Sequence, residues 1–139
     1  MKTTKFLPAL SLLSAMIMAL ASFQATAHEA TVSKPEKKII YQAPLAGTDG
    51  LEMTVAYVAV PAGFVGGKHL HPGPVFVYVL EGELTVELEG ETKTFRAGEL
   101  YPEDINAAMV GKNLSTTDDL KLLIFHTAGA GQPEKVAVN

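Results

Sequence analysis

Short extended segments, separated by turns, recur through most of this 139-residue sequence. Residues 51–60 and 120–128 are rich in β-branched and apolar residues, and apolar and polar residues alternate between 84 and 88. The pairs Glu81-Gly82 and Glu89-Gly90 are predicted turns between successive strands. No window of useful length combines a 3.6-residue apolar period with helix caps. The pattern therefore predicts an all-β domain, built as an antiparallel sandwich or barrel.

The first 27 residues have the three parts of an export signal. Lys2 and Lys5 form a charged start, residues 7–21 are mostly apolar, and Ala25-Thr26-Ala27 is a small-residue cleavage pattern. The apolar run contains Pro8 and falls short of the roughly 20 residues of a membrane span. We therefore expect a cleaved signal, a periplasmic or extracellular protein, and no stable membrane anchor.

The mature protein is expected to begin at His28, directly after the cleavage pattern. The intact mass of exported protein tests this expectation, and a chain that retained Met1 would indicate an anchor. A histidine at a free N-terminus can bind copper through its amine and its imidazole. The alternative is that His28 is an incidental residue next to the cleavage site.

The 112 residues after the signal allow one domain. We expect a flexible arm at 28–37, a barrel at 38–127 and a loose tail at 128–139. Without Lys2 and Lys5 the chain has nine basic and fifteen acidic residues, a net charge of −6. This acidic balance argues against nucleic acid as a partner. The sequence has no cysteine, which excludes disulfides, thiolate metal sites and cysteine nucleophiles.

Two histidines, His69 and His71, stand one residue apart before an apolar run. In an extended strand they point the same way, and Val75 and Val77 would continue that face. Two imidazoles on one face can ligate one metal ion. A solvent-facing pair, or a core pair satisfied by hydrogen bonds, is the alternative. His126, on the last predicted strand, is an outside candidate for a further ligand.

The segment Gly63–Gly82 resembles the first motif of the cupin superfamily, which consists of small jelly-roll β-barrels. The chain matches that motif's two glycines and two histidines at Gly63, His69, His71 and Gly82, and has Val75 at its glutamate. From Gly98 the second motif places Asp104, Asn106, Met109 and Asn113 at its proline, glycine, histidine and asparagine. The resemblance covers residues 38–127 and is typical of a small, single-domain cupin of type 2. It implies a divalent transition metal (iron, manganese, zinc, nickel or copper) held by three histidines and a glutamate.

Val75 and Met109 replace two of those four ligands, so the resemblance implies a degenerate metal site. Three hypotheses follow. In the first, His69 and His71 bind an ion together with a carboxylate from Glu103, Asp104 or Glu99, as in a dioxygenase-like or isomerase-like enzyme. In the second, the two histidines and Met109 form a soft site that suits copper(I).

In the third hypothesis the barrel binds a small organic molecule without metal. Val75, Val77, Tyr78 and Met109 are then expected near the cavity. Because two ligands are replaced, we favour a binding protein for a metal ion, a small molecule or both. An enzyme and a metal-free binding barrel are the alternatives, and the chain is compatible with a homodimer.

Overall fold

The structure is a computed structural model that describes residues 33–138. The predicted signal at 1–27 and His28 lie outside the described residues. All regular structure in the described range is β, in ten strands. In chain order β1 to β10 span Glu36–Pro44, Leu51–Val60, His69–Leu70, Val75–Glu81, Glu83–Leu88, Glu91–Arg96, Leu100–Glu103, Met109–Lys112, Leu120–Gly129 and Val136–Ala137.

The strands form two five-stranded sheets with antiparallel pairings. One has the order β1-β2-β9-β4-β7 and the other β10-β3-β8-β5-β6. The predicted fold class, an all-β, single-domain jelly-roll barrel, is confirmed. None of residues 33–138 belongs to a helix of the length and apolarity that crossing a bilayer requires.

The core lies between the two sheets and follows the two-residue period of the strands. On β4, Val75, Val77 and Val79 are at most 3% exposed, whereas Phe76, between the first two, is 44% exposed. Leu120 of β9 is fully buried in the same cluster. Burying each such side chain stabilises the fold by about 1.5–3 kcal/mol. Apolar alternation therefore decides which face of each strand points into the barrel.

Turns occur at the glycines that the sequence indicated. Gly82 and Gly90 have φ angles of 84° and 82°, in the left-handed region that favours glycine. A Cβ on Gly82 would also lie 3.1 Å from the carbonyl oxygen of Asp119. Asn106, which stands at the second glycine of the second cupin motif, has a φ of 60°. Asparagine tolerates this conformation, so the replacement preserves the turn.

Asn113, the residue that matches the motif's asparagine, is a buried structural link. It is 1% exposed. Its amide nitrogen donates to the carbonyl oxygens of Val60 and Asp118, at 3.0 and 2.9 Å, and its side-chain oxygen accepts from the Ser115 amide at 3.1 Å. Asn113 therefore joins the end of β2 to the loop before β9.

Both predicted ends of the barrel need correction. β1 begins at Glu36, so the last two residues of the predicted arm belong to a strand. β9 continues to Gly129, and the predicted loose tail contains β10, which pairs with His69 and Leu70 of β3. The chain reverses near Gly131, whose φ is 77°. Local sequence does not reveal β10, because its two residues are ordered only by pairing with a distant strand.

Candidate functional site

A cavity of about 450 Å³ opens between the sheets. Its wall is mostly apolar and comes from both sheets, with Val58, Val60, Val77, Leu84, Leu120 and Leu122 among its residues. His69, His71 and Glu103 add polar groups to this lining. A mostly apolar cavity with a few convergent polar groups is the usual form of a small-molecule site.

The two histidines of the H-x-H pattern both line this cavity. Their ring centroids are 4.9 Å apart and their planes are nearly perpendicular, at 84°. His71 is buried at 5% exposure, whereas His69 is half-buried. The Asn106 amide donates to the His71 carbonyl oxygen at 2.9 Å, which ties His71 to the loop after β7.

Backbone carbonyls fix the protonation of both rings. Nδ1 of His69 lies 2.9 Å from the carbonyl oxygen of Gly67, and Nδ1 of His71 lies 2.7 Å from that of Glu134. A carbonyl oxygen can only accept, so each Nδ1 must carry the donated hydrogen. In the neutral rings each Nε2 then carries a lone pair. Metal-ligating histidines are commonly oriented by such a hydrogen bond on the other nitrogen.

Glu103 brings a carboxylate to His71 from a neighbouring strand. It is the cross-strand partner of Val75 on β4, the position of the motif's glutamate. Glu103 Oε2 lies 3.1 Å from His71 Nε2, and the two side chains are 9% and 6% exposed. The register of β4 and β7 therefore places the Glu103 carboxylate beside Val75, the position at which the motif has its glutamate.

Burial changes the pKa of both groups. It raises the pKa of Glu103 to about 7; the charge of Glu134 acts in the same direction, and Lys135 partly offsets it. Burial also lowers the pKa of His71, against the hydrogen bond to Glu134. Each shift reflects the free energy needed to hold a charge away from water. Near neutral pH the ring is therefore uncharged, and the carboxyl group is close to half ionised.

The contact between His71 and ionised Glu103 joins two acceptors. Nε2 has a lone pair and a carboxylate oxygen can only accept, so close approach requires a proton or a cation between them. Within the described residues Oε2 has no hydrogen-bond partner despite the 3.1 Å separation, so a proton is poorly aligned there. Two ligand atoms about 2.1 Å from one ion are about 3.0 Å apart at an octahedral right angle and about 3.4 Å apart at a tetrahedral angle, and the observed 3.1 Å lies between these values. The pair therefore fits a divalent ion.

A third ligand has to come from a neighbouring side chain. As they stand, no three histidine, cysteine, aspartate or glutamate side chains among residues 33–138 are grouped closely enough to hold an ion. The His69 and His126 rings lie 4.9 and 6.3 Å from the His71 ring, between centroids. These two histidines are the available candidates for completing a ligand set.

His126 faces the interior from the other side of Val75. The two residues are cross-strand partners on β9 and β4. His126 is 5% exposed, and its Nε2 is buried without a hydrogen-bond partner in the described part of the chain. Burial lowers the pKa of this ring as well. His126 lines a second, smaller cavity of about 200 Å³ together with Gln42 and Thr54.

The other predicted site residues divide into two groups. Val75, Val77 and Met109 line the main cavity, and Met109 pairs with His69 across β8 and β3. Tyr78 does not line the cavity and needs correction. Adjacent residues of a strand point to opposite faces, so Tyr78 lies on the outer face when Val77 lies on the inner one.

The alternative carboxylates do not join the site. Glu99 and Asp104 are exposed, and neither lines the cavity. Glu99 instead accepts a hydrogen bond from the Arg96 amide at 2.6 Å. Of the three acids proposed as a ligand, only Glu103 lies beside His71.

Glu134 is the site residue that sequence reasoning missed. Its carbonyl oxygen accepts from His71, and its carboxylate pairs with Lys37 of β1. The Val138 amide donates to the carbonyl oxygen of Lys68 at 3.1 Å, which also holds the tail beside β3. These contacts connect residues far apart in the chain, so no local pattern signals them.

A family model described as the cupin domain matches residues 56–126, slightly more than half of the chain. The chain therefore belongs to the cupin family. Members of this fold bind metals or small molecules. A comparison with curated proteins finds no match.

Several solved structures share the fold. The structure of KdgF from Halomonas sp. is 25% identical, with 66% of this chain and 78% of that chain covered and a TM-score of 0.53. A conserved double-stranded β-helix protein from Klebsiella pneumoniae is 14% identical, with coverages of 78% and 88% and a TM-score of 0.60. DMSP lyase DddQ from Ruegeria pomeroyi is 17% identical, with coverages of 76% and 52% and a TM-score of 0.58.

Proposed function

We propose that this cupin binds a divalent transition-metal ion and a small organic molecule at one site. Glu103 and His71 contribute two ligands, and His69 or His126 contributes the third. The organic molecule places its polar end beside the ion and its apolar part in the main cavity. The ion would supply a positive charge that attracts and orients that polar end.

The contact between His71 and Glu103 carries this proposal. The Glu134 carbonyl oxygen fixes the hydrogen on Nδ1, so the unprotonated Nε2 lies 3.1 Å from a buried carboxylate oxygen. A bound cation satisfies both groups at once, whereas a buried carboxylate beside a lone pair is otherwise unfavourable. Imidazole and carboxylate together suit zinc, iron, manganese or nickel.

Zinc titration of chelator-treated protein tests the metal site. We expect His71→Ala and the double variant His69→Ala, His71→Ala to bind zinc more than tenfold more weakly than the wild type, a loss above about 1.4 kcal/mol. Glu103→Gln should weaken binding similarly, and Glu99→Gln, an exposed acid in the same region, should not. Wild-type binding should weaken as the pH falls through about 7, because a proton then competes with the ion for the Glu103 carboxylate, whose pKa burial raises to about 7. An unchanged affinity in the double variant would overturn the proposal.

Glu103 also supports a second candidate function, an isomerase-like enzyme. Its pKa of about 7 suits a group that gives and takes a proton near neutral pH, and it lines the cavity. This alternative does not require a metal ion, so it does not require a third ligand for one. Exchange of a ligand hydrogen for solvent deuterium by chelator-treated protein, lost in Glu103→Gln, would favour it, whereas loss of zinc binding in Glu103→Gln without such exchange would favour the metal site.

Export and a homodimer stay predictions. The intact mass of protein recovered outside the cytoplasm tests the first. The mass of the purified particle in solution tests the second.

A further inference from the structure

The wall of the main cavity selects an aliphatic molecule. Its apolar side chains are mostly valine, leucine and isoleucine from both sheets, together with Met109, Pro35 and one phenyl ring, that of Phe64. Its volume of about 450 Å³ lies within the range of about 300–1,000 Å³ that is usual for small-molecule sites. Apolar side chains around a cavity favour a ligand that removes its own hydrocarbon from water.

The polar lining of the same cavity is rich in lysine. The lysines come from four parts of the chain, and they are Lys34, Lys37, Lys112 and Lys135. Four of the nine basic residues after the predicted signal therefore gather at one cavity of an acidic chain. The two acidic residues in the same lining are Glu103 and Glu134.

Two of these lysines have an acidic partner, and the other two have none among the described residues. Lys37 pairs with Glu134, and Lys112 pairs with Glu87. Lys34 and Lys135 form no ion pair within residues 33–138. Lys135 is close enough to Glu103 for its charge to act against the raised pKa of that carboxyl group. A positive charge with no acidic partner within residues 33–138 thus lies near the polar end of the cavity.

We propose that the ligand of this cavity is a small aliphatic carboxylate, with its hydrocarbon part between the sheets and its carboxylate beside Lys34 and Lys135. This inference rests on the proposed function and names the chemical class of its organic ligand. An alcohol of the same length fills the apolar wall equally well but leaves the lysines without a partner. An amine of the same length brings a like charge to them.

Calorimetric titration of metal-free and zinc-loaded protein tests the class. The probes are hexanoate, octanoate and decanoate, each with its matching alcohol and amine. The affinity for carboxylates should rise about fourfold for each added methylene until the cavity is filled, the equivalent of about 0.8 kcal/mol. Each carboxylate should bind at least tenfold more tightly than its alcohol, and each amine more weakly than its alcohol.

Charge-removing variants test the role of the lysines. In the double variant Lys34→Met, Lys135→Met we expect the preference for carboxylate over alcohol to fall at least threefold, with the affinity for alcohol unchanged. Lys38→Met is the matched control, because Lys38 carries the same charge on β1 but does not line the cavity. An equal loss in this control would assign the effect to the general charge of the protein and overturn the proposal.

Other outcomes separate this inference from the proposed function. Equal binding of carboxylate and alcohol would overturn the ligand class and leave small-molecule binding intact. A carboxylate preference that required zinc and survived the double variant would assign recognition to the metal alone, and the lysine site would be wrong. No binding of any probe, with or without zinc, would overturn the ligand class; zinc binding, titrated separately, would show whether the metal site stands.

Discussion

The double variant Val75→Glu, Glu103→Val is expected to bind zinc within about threefold of the wild type, whereas Glu103→Val alone should lose more than about a hundredfold. Changing a group that only orients a metal ligand already weakens binding about 10–100-fold, so loss of a direct ligand should exceed that. Val75 and Glu103 are cross-strand partners, and both line the cavity. Directly opposed Cβ atoms lie about 5 Å apart. The exchange therefore keeps one carboxylate near His71.

Competition with a chromophoric zinc chelator measures these affinities. Val75→Glu alone is an informative control, because it opposes two carboxylates in a buried position and should destabilise the metal-free protein. Val75→Thr tests the change of volume without the charge. If the double variant binds zinc no better than Glu103→Val, a carboxylate on β4 does not reach the position that we assign to Glu103.

In metal-free protein at pH 8, Glu103→Gln is expected to raise the free energy of unfolding by as much as about 3 kcal/mol. The folded pKa of Glu103 is about 7, against an ordinary value of 4.5. Between these values the folded protein holds a proton that the unfolded chain has released. The free energy of unfolding therefore falls as the pH rises from about 4.5 to 7, by about 1.4 kcal/mol for each unit of pKa difference. Glutamine cannot ionise, so the variant does not show this fall in the free energy of unfolding.

Denaturant unfolding of chelator-treated wild type and variant at pH 5 and pH 8 measures the effect. Comparing the two proteins cancels the contributions of His71 and His126, whose lowered pKa values act in the opposite direction. Glu99→Gln, which removes an exposed carboxylate instead of a buried one, is the matched control. Equal pH dependence in wild type and Glu103→Gln would mean that the Glu103 carboxylate is not buried in solution.

The fold could be predicted from sequence because its signals are local. The alternation on β4 and the turn at Gly82 each depend on a few neighbouring residues, and both are present in the structure. The histidine pair is equally local, since one intervening residue places both rings toward one cavity. Glycine turns and alternating strands were sufficient to predict an antiparallel sandwich or barrel, and the resemblance of Gly63–Gly82 to the first cupin motif selected the jelly-roll barrel.

The rest of the site depends on strand register, which the sequence does not contain. Glu103 and His126 flank Val75 only because β7 and β9 pair with the two edges of β4 at one level. The motif places its carboxylate on β4, so Glu103 on β7 was predicted only as one of three acids, and the register of β4 and β7 was needed to separate it from Asp104 and Glu99. The error at Tyr78 has a different origin, because it does not depend on register. Alternation along β4, which the sequence does show, would have placed this side chain outside the cavity.

The hydrogen bond between His71 and Glu134 also determines the order in which the site can assemble. The two residues are 63 positions apart, and β10 is held by β3, in the sheet opposite β9. Closing so long a segment has an entropic cost that the later contacts must offset. His71 therefore reaches its final orientation only when the end of the described chain has returned to the barrel. A chain that stopped before Glu134 would retain every strand of the β1-β2-β9-β4-β7 sheet and still lack the group that orients this histidine.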